Sequence, residues 1–113
     1  MDPADFLPLR EPTYFILLSL ASGQKHGYAI LKDVEELSEG NVRLSTSTLY
    51  EGLARLQDQD LIERVREEPQ THPGKPRKAY QLTHSGRQVL QAETNRLKSL
   101  LAAARRTLPE DTV

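Results

Sequence analysis

Apolar residues recur through most of the chain at three- and four-residue steps, which line one face of an α-helix, and the gaps between these runs hold residues that cap or end helices. Pro12 suits the first turn of a helix, where its missing N–H has no partner to lose. The apolar stretch from Tyr14 to Ala21 stops before Gly23, which predicts a first helix of about ten residues. That helix is apolar nearly all round and is expected to be buried, in part by a second subunit. Ile30, Leu31, Val34 and Leu37 then share a face while Lys32, Asp33, Glu35 and Glu36 point away. A second helix is therefore predicted from about Gly27 to Ser38, with Gly40 as its terminator. Val42 to Leu44 is too short for a helix before the next cap and suits a brief strand. Ser45 is a good N-cap, and Leu49, Leu53 and Leu56 follow at helical spacing, so a third helix is predicted over about Thr46 to Gln59. Its other side carries Thr46, Ser47, Tyr50, Glu51 and Arg55, polar groups suited to hydrogen bonding rather than to filling a core.

From Leu61 to Arg66, and again around Tyr80 and Leu82 between Lys78 and Thr83, apolar and polar residues interleave as in half-buried strands. Pro69, Pro73, Gly74 and Pro76 lie between them, so the two strands form a hairpin whose loop exceeds the usual roughly two to five residues. A last helix is expected from His84 or Ser85 to Leu108, where Pro109 ends it. Leu90, Leu97 and Ala104 repeat every seven residues, and Thr94, Leu101 and Leu108 fill the complementary heptad position, a seam of coiled-coil type. Such a seam serves either a core within the chain or a second copy; a helix of about 25 residues is longer than one small domain covers, which favours the second copy.

Helix, helix, short strand, helix, hairpin is the order of a winged helix-turn-helix. The expected fold class is mainly α with a small β-hairpin (α+β), extended by a C-terminal dimerisation helix. Residues 1–10, with Pro3 and Pro8, read as an N-terminal arm without a helical pattern; 11–83 as the winged helix-turn-helix; 84–108 as the dimerisation helix; and 109–113 as a tail.

At 113 residues the chain has room for one domain around one core. It has no cysteine, which excludes disulfides, thiolate metal sites and cysteine nucleophiles and is compatible with a reducing, cytoplasmic setting. The longest apolar run is far shorter than the roughly 20 residues of a membrane span, and Asp2 and Asp5 are unlike the basic start of a signal peptide, so no membrane association is expected. A net charge of −1 at first argues against nucleic acid, but its distribution reverses the argument. Residues 1–40 hold three Lys/Arg against seven Asp/Glu, whereas no acid occurs from Pro69 to Ala92, where Lys75, Arg77, Lys78 and Arg87 lie.

In this fold the third helix enters the major groove by its amino end while the wing follows the phosphates. The hydroxyls of Ser45, Thr46, Ser47 and Thr48 fit either that role or a merely well-capped helix start. Tyr50 either covers Leu53 or faces the groove, and the wing cations either grip phosphate or solvate a loop. His26, His72 and His84 are scattered and converge on no metal site. Ser85, His84 and the acids lack nucleophile-elbow glycines, a phosphate loop and paired carboxylates, so neither an enzyme nor a cofactor is expected.

Three segments, from His26 to Glu36, from Leu44 to Glu63 and from Pro73 to Arg87, together resemble the PadR family of transcriptional regulators, in its subgroup with a single short C-terminal helix. The most diagnostic pieces are Thr48-Leu49-Tyr50 backed by Leu53 and Leu56, then Leu61-Ile62, and Pro76-Arg77-Lys78 leading to Tyr80, Leu82, Thr83 and Gly86. The resemblance runs from about Leu9 to Leu108 and implies a dimeric winged-helix repressor that answers to a small molecule, often a phenolic or other toxic organic compound. It places Ser47, Thr48 and Tyr50 at or beside the DNA, Arg77 and Lys78 at the base of the wing, and Tyr28 where its hydroxyl can hold a phosphate. With Thr46 and Lys75, these form the expected DNA-binding set. Tyr14, Phe15, Leu90, Leu97, Leu101, Ala104 and Leu108 form the expected dimerisation set.

Two departures accompany the resemblance. Glu51 stands where many members have proline, a carboxylate near phosphates unless it accepts from a cytosine amine. The chain also has no tryptophan, so a tryptophan-built drug pore does not transfer. The expected partners are double-stranded DNA with a pseudo-palindromic operator, a second copy of the chain, and a small aromatic or apolar effector held where the last helices cross the Tyr14-Phe15 end of the first. The rival reading is a protein-protein interaction module on a winged-helix scaffold that has lost DNA binding.

Overall fold

The computed structural model describes residues 2–65 and 78–109. The chain opens with a 3-10 turn, Pro3–Phe6, capped by the Asp2 carboxylate, which accepts the Ala4 N–H at 2.9 Å. Helix α1 spans Glu11–Ser19 with Pro12 in its first turn, and a 3-10 turn, Leu20–Ser22, carries it to Gly23. Strand β1 is the pair Lys25–His26, followed at once by helix α2, Gly27–Leu37. Glu39 and Gly40, both with positive φ, close that helix, and the Gly40 N–H returns to the Glu35 carbonyl at 2.8 Å. Helix α3 covers Thr46–Asp58, strands β2 and β3 cover Ile62–Val65 and Ala79–Leu82, and helix α4 runs over His84–Thr107.

The three strands form one antiparallel sheet in the order β1-β3-β2. One row crosses the whole sheet: Lys25 pairs with Tyr80, which pairs with Arg64. The brief strand expected at Val42–Leu44 does not form, because Ser38 claims that segment: its Oγ accepts the Val42 N–H at 2.9 Å and lies 3.3 Å from the Val42 carbonyl. Val42 is pinned into the core as the end of a turn. The third strand comes instead from Lys25–His26, which uses the edge of β3 that β2 leaves open. Thus the strand precedes the second helix rather than following it.

Leu17, Leu20, Ile30, Val34, Leu49, Leu53, Leu56, Leu61, Ile62, Tyr80 and Val89 meet in one core, where α1, α2 and α3 pack on the sheet. The first half of α4 closes it. Thr83 caps that helix by accepting the Gly86 N–H at 2.9 Å. Gly86 lies so close to the sheet that an added Cβ would stand 1.9 Å from the Leu61 carbonyl oxygen.

Residues 2–10, read from sequence as an arm without helical pattern, contain the first 3-10 turn and lie against α4, with Phe6, Leu7 and Leu9 partly buried on the core. The Leu9 N–H donates to the buried Glu93 carboxylate at 2.7 Å, and Arg96 holds the same carboxylate from the next turn. The result is a winged helix-turn-helix, α2 and α3 forming the helix pair and β2 and β3 the wing, from which the second half of α4 projects with most of its side chains exposed.

Candidate nucleic-acid interface

The amino end of α3 is built by a chain of hydroxyls. Ser45 Oγ accepts the Thr48 N–H at 3.1 Å, donates to Thr48 Oγ1 at 2.8 Å and lies 3.2 Å from Ser47 Oγ. This satisfies one of the amides that a helix start leaves without an internal partner. Leu49, Leu53 and Leu56 anchor the helix from beneath, while Ser47, Glu51, Ala54 and Asp58 form the exposed ridge on the opposite side. Thr46, Ser47 and Thr48 are all exposed, as a base-contacting helix start requires.

Tyr50 lies on the flank of that ridge and remains 38% exposed. Its ring rests on the first residue of α2: a Cβ at Gly27 would lie 2.4 Å from the Tyr50 hydroxyl oxygen and 2.9 Å from its Cζ. Glycine at 27 thus lets the Tyr50 ring lie directly on α2, and a side chain there would displace it. Tyr80 sits nearby in β3. Its burial, and then the neighbouring Tyr50, push the Tyr80 hydroxyl above its ordinary range, while Arg64 pulls it the other way. Tyr50 therefore stands at the joint of both helices and the sheet, with only part of its surface left for a ligand.

Two further exposed groups lie on the elements that α3 packs against. Tyr28 is 71% exposed in the first turn of α2, and the Lys32 ammonium lies 5.6 Å from its ring centroid. On the wing, Lys78 is exposed just before β3 and Arg64 is exposed on β2. Lys75 and Arg77 lie outside the described residues. Arg64 and Lys32 were missed in the sequence; the signals were a strand position opposite Tyr80 and a four-residue step from Tyr28. The joint is braced from behind: Lys25 pairs with Asp33, and Ser19 Oγ donates to the same carboxylate at 2.9 Å. The Lys25 hydrogen bond holds the Asp33 carboxyl below its usual range against the effect of burial.

The expected dimerisation residues fall into two groups. Leu90 is buried in the core of its own chain, Tyr14 bonds Thr94 of that chain at 3.0 Å, and Phe15 packs edge-on against Tyr14. Leu97, Leu101 and Leu108, with Leu100 that the heptad reading left out, are between 38% and 55% exposed and share the projecting half of α4 with the half-buried Ala104. A cleft of about 170 Å³ opens elsewhere, between residues 6–10, α1 and the back of α3, lined by Phe6, Leu9, Arg10, Ile16, Arg55 and Leu56 among others. Among the described residues no group of three His, Cys, Asp or Glu side chains is placed to hold a metal ion, and no helix is long and apolar enough to cross a membrane.

Residues 16–92 match the family described as transcriptional regulator PadR-like. A solved structure of Bacillus subtilis PadR in complex with operator DNA is similar at 30% identity and a TM-score of 0.63, over 74% of this chain and 46% of that one. A PadR family transcription regulator from Clostridium difficile shares the fold at 22% identity and a TM-score of 0.72, over 88% of this chain and all of that one. An uncharacterised 37.1 kDa transposon protein of Streptomyces fradiae is 34% identical over 85 residues, 75% of this chain. This chain spans only 22% of the length of that relative.

Proposed function

The chain belongs to the PadR-like family of transcriptional regulators, and we propose that within it this protein is a homodimeric, ligand-responsive repressor of a pseudo-palindromic operator. One observation carries the DNA-binding part: the hydroxyl-bearing start of α3 is exposed on a helix that packs against α2, which carries the exposed Tyr28 and Lys32, and against the wing, which carries the exposed Arg64 and Lys78. A helix presented in this way fits the major groove, and these exposed groups fit the phosphates. That the Bacillus subtilis relative was solved in complex with operator DNA supports DNA as the partner. Such a regulator works in the cytoplasm, where its DNA lies.

In this reading residues 1–10 are an arm, of which 2–10 lie against α4 and the core, 11–83 the DNA-binding unit, 84–108 the dimerisation helix and 109–113 a tail. The exposed leucines of α4 supply the reason to pair. Fully burying a leucine stabilises by roughly 1.5–3 kcal/mol, and these side chains are already about half covered, so four of them contribute on the order of 4 kcal/mol per subunit. A two-fold pair then sets two α3 helices about 34 Å apart, one turn of duplex. A small aromatic or apolar effector would bind where the paired α4 helices cross the Tyr14-Phe15 end of α1, since apolar clefts form at such crossings.

Electrophoretic shift on the DNA upstream of its own gene tests the reading. Tyr50→Ala should weaken specific binding by disturbing the joint at Gly27. Arg77→Ala should weaken binding to every sequence and lower the slope of affinity against salt by about one unit. Absence of any shift at low salt, together with a stable complex with another protein, would instead favour the protein-binding reading that the net charge of −1 and the acidic N-terminal part suggest.

A further inference from the structure

The ridge that α3 turns outward carries a carboxylate where a duplex would lie. Ser47, Glu51, Ala54 and Asp58 follow one another at helical steps, and all are exposed. Tyr50 is committed to Gly27, and the hydroxyls of Ser45, Ser47 and Thr48 bond among themselves. Glu51, one turn beyond Ser47, takes part in no ion pair or hydrogen bond among the described residues. Asp58 lies two turns further on, at the far end of the helix, away from the amino end that meets base edges in this fold.

A carboxylate can only accept hydrogen bonds. Phosphate oxygens, guanine O6 and N7 and thymine O4 are acceptors too, so a helix bearing Glu51 is repelled by most of what a duplex presents. The major groove offers two donors. The adenine N6 amine stands beside N7, an acceptor that repels a carboxylate, whereas the cytosine N4 amine has only a C–H beside it on its own ring. Cytosine is the one base edge that compensates the charge. We propose that Glu51 is a specificity-determining residue that accepts from a cytosine N4 amine and so demands a C·G pair at one position of each half-site.

The proposal rests on the DNA-binding reading above, and it adds that the same carboxylate weakens binding to every sequence lacking that pair. Removing it should move specificity and general affinity in opposite directions, which loss of fold or of an ordinary contact does not do. Glu51 is exposed and makes no bond among the described residues, so its variants should melt with the wild type in circular dichroism.

The test selects bound duplexes from a randomised library with the purified full chain, in parallel for wild type, Glu51→Ala, Glu51→Gln and Asp58→Asn. Wild type should prefer cytosine at one position of each half-site by roughly five- to hundred-fold. Glu51→Ala should flatten that position alone and bind unrelated DNA about two-fold or more tightly at low salt. Glu51→Gln, which both donates and accepts, should shift the preference toward adenine, while Asp58→Asn should leave it unchanged. A Glu51→Ala motif identical to wild type, or a lost preference for any base but cytosine, overturns the assignment while leaving DNA binding intact. A wild-type protein that selects no motif overturns the DNA-binding reading and this assignment with it.

Discussion

Replacing Glu93 by glutamine removes a carboxylate whose side chain is 2% exposed and which fastens residues 2–10 to α4. Three bonds converge on it: the Leu9 N–H at 2.7 Å and two from the Arg96 guanidinium. Breaking a buried ion pair from one side costs about 3–5 kcal/mol when the abandoned charge stays dry. Arg96 keeps 36% of its side chain exposed and can return to water, and glutamine can still accept from Leu9. The expected loss is therefore about 2 kcal/mol, within the range for one hydrogen bond to a charged group. The acid limb of stability gives a second, independent reading. Hydrogen bonding from Arg96, assisted by Leu9, holds the Glu93 carboxyl below its ordinary value of 4.5, against the upward push of burial. A carboxyl depressed in the folded state contributes stability that is complete above its unfolded pKa and is lost as pH falls through the folded one. Below a pH of about 4.5 the wild type should lose this contribution and Glu93→Gln should not, although the loss due to Asp33, depressed by Lys25, should remain in both. Urea unfolding followed by circular dichroism, at one fixed protein concentration because the proposed pairing would add to stability, measures both. A glutamine variant with the wild-type midpoint at neutral pH and the same loss in acid would refute the clasp.

Two further substitutions test packing. Leu101→Glu, on the exposed half of α4, should leave the fold intact and convert the dimer to monomer at micromolar concentration by sedimentation; a monomeric wild type at that concentration would refute pairing through this face. Gly86→Ala should cost about 3 kcal/mol or more in urea unfolding, because the added methyl meets the rigid Leu61 carbonyl rather than a yielding side chain; a wild-type midpoint would show that the contact relaxes.

How much of this was legible differs from element to element. The spans of α2, α3 and α4 came close to the residue, since each has an apolar stripe of helical period and a local end signal: Gly40 after α2, Ser45 before α3, Pro109 after α4. The wing strands were equally plain in their interleaving. Lys25–His26 was not, because two residues cannot show a period, and they become a strand only where β3 has an edge to offer. Val42–Leu44 misled for the converse reason: its composition suits a strand, but the Ser38 hydroxyl takes the amide that a ladder would need.

Long-range partnership was hidden throughout. Leu90 and Leu97 hold equivalent heptad positions, yet one closes the core and the other stands in solvent, because the domain reaches only halfway along α4. Nothing near Tyr50 in the chain announces Gly27, and nothing near Leu9 announces Glu93. Periodicity and caps are local, so the chain alone determined which segments coil, where they stop and which family they resemble. Packing brings together residues far apart in sequence, so the folded molecule decided which side of α3 is free, what holds residues 2–10, and which leucines of α4 stay exposed.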